Sequence, residues 1–230
     1  FHAKLYPAPH TRAHPLRFDA MSPLRRLLET VHLTFVGLWL GSLAMAGAAA
    51  AIIFPTVRDL DPSLPAYAAF TGPHWKLAAG HVASRIFLVA DAVALGCLIV
   101  SGLTLGLVAA SKEPWRQAWT TGIRLVAFFG ALSLLTYSFF FLGPRMNTNM
   151  VNYWEAAETG NNEAALEYQA AFDKDHPTAS TVMVSSFACV TLLMISGAFA
   201  ATARTATPAQ PSGAAKPTLE QPSLTRKGRL

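Results

Sequence analysis

The stretch LLETVHLTFVGLWLGSLAMAGAAAAIIF, residues 27–54, decides the fold, because its only ionisable side chains are Glu29 and His32, both within its first turns. As a helix it reaches roughly 40 Å, enough to cross the ~30 Å hydrocarbon core of a bilayer with tilt to spare. Ser22 and Pro23 supply an N-cap followed by proline in the first helical position, and Pro55 marks the expected end. Three more such runs follow: 78–110, interrupted by His81, Arg85 and Asp91; 122–143, ending at Pro144; and 178–203. The bilayer core holds no water to satisfy backbone amides, and the alternation of a transmembrane barrel is absent from the pattern. The sequence therefore predicts an all-α integral membrane four-helix bundle.

Composition agrees with this reading. Apolar residues make up 52% and charged residues only 13% of the chain, about half the charge of a soluble domain, so a water-facing surface is excluded for most of it. Cys97 and Cys189 both fall in apolar runs and read as small buried side chains, with no message about redox compartment. The net charge of +5 is unevenly placed. Arg25, Arg26, Lys112, Arg116, Arg124 and the basic residues of both ends lie on one side of the four spans. The other side mixes Arg58, Lys76, Arg85, Arg145 and Lys174 with eight carboxylates, Asp59, Asp61, Glu155, Glu158, Glu163, Glu167, Asp173 and Asp175. The excess of Lys and Arg predicts cytoplasmic N and C termini in a cell (inner) membrane. Nothing in this distribution points to nucleic acid.

The organisation expected is a basic N-terminal arm over 1–26, the four-span domain over 27–203, and a Pro-rich basic tail over 204–230 that is disordered in isolation. A cleaved signal peptide fits poorly, since the first run is too long for an h-region; Met21 is a plausible start. In the loop between the third and fourth spans, Ala164, Ala165, Tyr168 and Phe172 fall near one stripe, which predicts a short external helix over 162–172 lying across the bundle mouth.

Three groups of residues are candidates for function. Asp91 lies close to mid-bilayer, and Ser42, Ser133, Thr136, Tyr137, Ser186 and Thr191 fall at comparable depth, so a polar layer around Asp91 is expected. It reads either as a structural network or as a proton or cation site. His81, Arg85 and Arg145 form an outer charged face whose long side chains snorkel toward headgroups. His74, His81, Met146, Met150 and His176, with Met183 nearby, are soft-ligand types suited to cuprous ion, although their spacing matches no compact metal motif. No cofactor is expected. Haem in particular fails because His32 and His81 sit near opposite faces of the membrane. Gly37 with Gly41 and Gly102 with Gly106 form small-residue pairs that let helices approach closely. No nucleophile with a base, phosphate loop or hydrolytic carboxylate pair is visible, so no enzymatic activity is expected.

Gly37-Leu-Trp-Leu-Gly41, Pro55, Ala79-Gly80 with Arg85 and Phe87, Phe141-Leu-Gly-Pro144-Arg145-Met146, and His176 before a polar fourth span resemble a bacterial membrane family of unknown function. That family is related to a eukaryotic transmembrane protein linked to cisplatin resistance. The resemblance runs from about His32 to Ala200 and departs from the pattern at Asp173-Lys174-Asp175. It implies a four-helix membrane domain and no established activity. Two functions are expected. The first is a non-catalytic scaffold or accessory subunit of a larger membrane complex, such as an electron-transport or light-harvesting one, with partners held through the terminal arms and small-residue helix faces. The second is a small transporter or metal-handling protein using the outer His/Met surface and Asp91.

Overall fold

The computed structural model describes residues 23–110 and 115–202, with backbone alone at 115–118. Most of the predicted N-terminal arm, the tail and Lys112 lie outside the described residues. The elements they form are all helices, without a strand: α1 Pro23–Leu60, a 3-10 turn Pro65–Tyr67, α2 His74–Ala110, α3 Trp115–Tyr137, a π segment Ser138–Leu142, α4 Gly143–Glu158, and α5 Asn162–Thr202. Four helical stretches are long and apolar enough to cross a membrane: Pro23–Leu60, His74–Ala110, Trp119–Glu158 and Asn162–Thr202. The chain is a multi-pass helical membrane protein. Its outer faces carry exposed Leu38, Ile52, Leu103, Val126, Phe140 and Phe199, side chains that lipid solvates and water does not.

Three prolines fall short of the boundaries predicted from them. Helix α1 continues through Pro55 to Leu60, and α5 runs through Pro177 as one helix of 41 residues. The missing amide removes one ladder bond, and packing against neighbouring helices holds the remainder. The helix predicted over 162–172 forms, but as the first turns of α5 and not as a separate element. At ~62 Å, α5 is twice the thickness of the hydrocarbon core, so much of it projects beyond the membrane. Pro144 is accommodated differently. The turn before it widens into the π segment, where the Gly143 N–H bonds Ser138 O, five residues back.

Helix α2 packs along α1, and α3 and α4 pack along α5; α1 also meets α5, whereas α2 touches α3 only lightly. Two apolar cores result. One lies within the bundle and includes Val36, Trp39, Leu98, Leu105, Val190 and Leu193. The second, built from Phe70, Leu77, Tyr153, Ala157 and Ala165, makes a cap from the loop after α1 and the α4–α5 hairpin. Asn162 fastens the cap: its Oδ1 accepts from Thr71 N at 2.8 Å and its Nδ2 donates to Ala69 O at 3.2 Å. Gly160 turns the hairpin at φ 73°, where a Cβ would stand 2.8 Å from Ala69 Cβ. Only glycine suits both demands.

The small-residue pairs divide. A Cβ on Gly102 would meet Phe128 at 2.7 Å, and one on Gly37 would meet Met194 at 3.9 Å, so these two pack inside the bundle. At Gly41 and Gly106 a Cβ meets nothing within 4 Å.

Candidate functional site

Because α2 and α3 scarcely touch, a cavity of about 970 Å³ opens between the helices. It runs from Trp75, Lys76 and His176 beside the cap to Trp39, Ala94, Leu135 and Ser186 deep in the bundle. On α2, Gly80, Ser84, Phe87, Asp91 and Ala94 recur at helical spacing and give one wall. Residues Gln169, Phe172, Asp173 and His176 of the predicted external helix and its continuation give another.

The cap end of the cavity is ordered by aromatic contacts. His81 stacks on Trp154 with ring centroids 3.9 Å apart. Tyr67 Oη and His81 Nε2 share a hydrogen bond of 2.9 Å. Burial, and then the Glu158 carboxylate, push the Tyr67 phenol above its ordinary value, which keeps it protonated as a partner for the imidazole. Three wall residues carry buried polar atoms without a partner among the described residues: Trp39 Nε1, Tyr153 Oη and Gln169 Oε1. Such orphans are uncommon in protein interiors, and they cluster where a ligand or water completes the set.

The opposite end is closed. Below Trp39 the bundle core is packed, and beneath that core Arg124 of α3 reaches across to Glu29 of α1. Nη1 donates to Oε1 at 3.2 Å and Nη2 to Oε2 at 2.9 Å, with both residues buried. Gly197 of α5 leaves room for Leu33 of α1, since a Cβ there would stand 2.8 Å from Leu33 Cδ2. Beside the pair, His32 is fully buried and places Nδ1 at 3.2 Å from Ser101 O and 3.1 Å from Thr104 Oγ1. A carbonyl only accepts, so Nδ1 carries the proton. His32 thus ties α1 to α2 some 30 Å along the helix from His81.

The predicted polar layer does not assemble as drawn. Asp91 and Ser186 share the cavity wall. Ser133 is exposed and Thr191 half-buried, and they bond back to Phe129 O and Phe187 O, one turn earlier on their own helices. Thr136 and Tyr137 are also exposed, and Ser42 Oγ is buried without a partner among the described residues. On the outer face, Arg85 lines the cavity, while Arg145 donates from Nε and Nη2 to Asp175 at 2.6 and 2.7 Å.

The metal-ligand set also changes. His81, Met146, Met150, His176 and Met183 all line the cavity, but His74 does not. Its Nδ1 accepts from Leu64 N–H at 3.0 Å, so its Nε2 carries the proton and donates to Phe70 O at 3.1 Å. With both nitrogens engaged, His74 holds the loop and offers no lone pair to a metal. Among the described residues, no three His, Cys, Asp or Glu side chains converge on a metal position. We expect His74→Ala to free the loop over 61–73, at a cost of about 1–3 kcal/mol locally. Faster proteolysis there with unchanged metal content is the expected outcome; unchanged proteolysis would rule out the clasp.

Sequence reasoning missed the Glu29–Arg124 pair, the role of Trp154 as a stacking partner, and Ser138 and Asn147. Comparison with models of known protein families, with curated proteins and with solved structures finds no match to this chain.

Proposed function

We propose that the chain is a non-catalytic carrier of a small solute in a cell membrane, with both termini cytoplasmic and the cavity opening on the outer side. One observation carries this reading: the cavity reaches Asp91 and Trp39 from the cap end, while the other end is sealed by packed core and a buried ion pair. A site reachable from one face and closed to the other is the arrangement that alternating access requires. The wall is mostly apolar and aromatic with a few polar groups, which is the chemistry of a small-molecule site. The resemblance to the four-helix family of unknown function adds the Phe141–Met146 motif, which coincides with the π segment and Pro144.

Thiol labelling tests the proposal. In a Cys97→Ala/Cys189→Ala background, Ser84→Cys on the cavity wall reacts with a membrane-impermeant maleimide added to intact cells. Val36→Cys, in the packed core, does not. A Ser84→Cys thiol that reacts only from the cytoplasmic side, or from neither, would overturn the reading.

Partnership in a larger complex is the second reading, and it rests on Gly41 and Gly106. Both leave small-residue surface uncovered, where a helix of another chain would pack closely. Native mass of the protein extracted in mild detergent distinguishes a complex from a lone chain.

A further inference from the structure

Next to the large cavity, and sharing Asp91 with it, lies a recess of about 230 Å³ lined by Asp91, Ser138, Phe139, Gly143, Pro144 and Asn147. Every polar group it offers for a cation is an oxygen: carboxylate, hydroxyl, carboxamide and backbone carbonyl. None of the side-chain hydrogen bonds and ion pairs among the described residues involves Asp91, Ser138 or Asn147. Three polar side chains without protein partners therefore meet at one place.

The backbone there is also incomplete. In a regular helix, Phe139 O would accept from Gly143 N–H and Phe140 O from the amide of residue 144. Here the Gly143 amide goes to Ser138 O, and Pro144 has no N–H to give. Two carbonyls thus lose their regular donors within a membrane-crossing stretch. Such groups persist at membrane depth where they line a cavity, and broken helices with freed carbonyls are where carriers hold coupling cations.

The cationic side chains of this region are not placed to neutralise Asp91. Arg145, next to Pro144 in sequence, is taken by Asp175, and Lys76 lies 3.8 Å from Asp173. Arg85 lines the larger cavity and not the recess.

We propose that this recess binds an alkali-metal cation, held by the Asp91 carboxylate, Ser138 Oγ, Asn147 Oδ1 and the Phe139 carbonyl, the one of the two freed carbonyls whose residue lines the recess. A single carboxylate balances one positive charge; a divalent ion would leave one uncompensated within the membrane span, which is costly. Oxygen donors without imidazole or thiolate select a hard ion over a soft one. The bound ion joins α2 to the α3–α4 junction, which the protein's own contacts link only lightly. This inference rests on the carrier reading and names the ion that such a carrier would couple to.

The full-length protein is purified in detergent with choline as the only buffer cation. Binding of radiolabelled sodium, and of radiolabelled rubidium as the stand-in for potassium, is then measured. We expect saturable binding of one of them, one ion per chain, displaced by unlabelled alkali cations. Asp91→Asn weakens it about 100-fold or more, and Asn147→Ala about tenfold. Should Asp91→Asn fail to fold, Asn147→Ala carries the comparison. Absence of saturable binding in the folded wild type, or equal binding by both variants, overturns the site and leaves Asp91 a carboxyl that at most carries a proton. Thiol labelling at Ser84→Cys separates the two failures: labelling without ion binding removes the cation site alone, whereas loss of labelling removes the carrier reading.

Discussion

Replacing Arg124 with alanine lowers the stability of the purified protein by about 3–5 kcal/mol, because it strips the Glu29 carboxylate of its bidentate partner inside the bundle. Replacing both, as in Glu29→Leu/Arg124→Met, recovers most of that loss, since desolvating two charges costs about as much as their attraction returns. The measurement is the midpoint of thermal unfolding in detergent for each single variant and the pair, read as a double-mutant cycle. An Arg124→Ala protein as stable as wild type would show that the pair adds nothing. His32, whose Nε2 is buried without a partner among the described residues, makes the same region sensitive to a second change. His32→Leu is expected to be better tolerated than Arg124→Ala, since it removes an orphan polar atom along with the Nδ1 bonds.

The other large effect is expected at Gly143. A Cβ there would stand 2.8 Å from Ser138 O, an atom of the backbone that no rotamer change can move aside. Gly143→Ala therefore destabilises the protein by about 1–3 kcal/mol and disrupts the π segment. Gly41→Ala, which adds the same methyl to open space, is the control and falls within about 0.5 kcal/mol of wild type. A sharper version deletes Phe140. Removing one residue converts the π turn to regular α-helix, in which the Gly143 amide reaches Ser138 O as an ordinary four-residue bond, and leaves the chain beyond it close to its present orientation. Equal unfolding midpoints for Gly143→Ala and Gly41→Ala would show that the close approach to Ser138 O carries no strain.

Much of the fold was legible because apolar runs bounded by charged loops have few alternatives in a bilayer. The four spans and the helix over 162–172 all formed. Their ends were harder, since proline was read as a stop. In soluble proteins Pro55 and Pro177 would often end a helix, but here neighbouring helices hold the chain through the gap. The candidate site was half legible for a geometric reason. Counting residues along a span gives depth but not azimuth, so Ser133 and Thr136 have the depth of Asp91 but are exposed and do not line its cavity. Ser186 shares both depth and direction. The Glu29–Arg124 pair had a usable signal: opposite charges, each isolated in an apolar run, at the same end of their spans. As a basic residue beside a span, Arg124 reads first as a topology marker. The π segment had no signal beyond Gly143-Pro144 itself, because its widened turn depends on which amide reaches which carbonyl.

The unbroken length of α5 makes it a lever. Gly197, which leaves room for Leu33 near the Glu29–Arg124 pair, lies roughly 30 Å along the axis from Pro177, and Asn162, which fastens the cap, lies roughly 22 Å the other way. A 5° pivot near Pro177 swings the Gly197 end by about 2.6 Å and the Asn162 end by about 2 Å in the opposite sense, as rigid rods of those lengths must. Loosening the cap and pressing on Leu33 at the far end of the bundle are thus two ends of a single stroke.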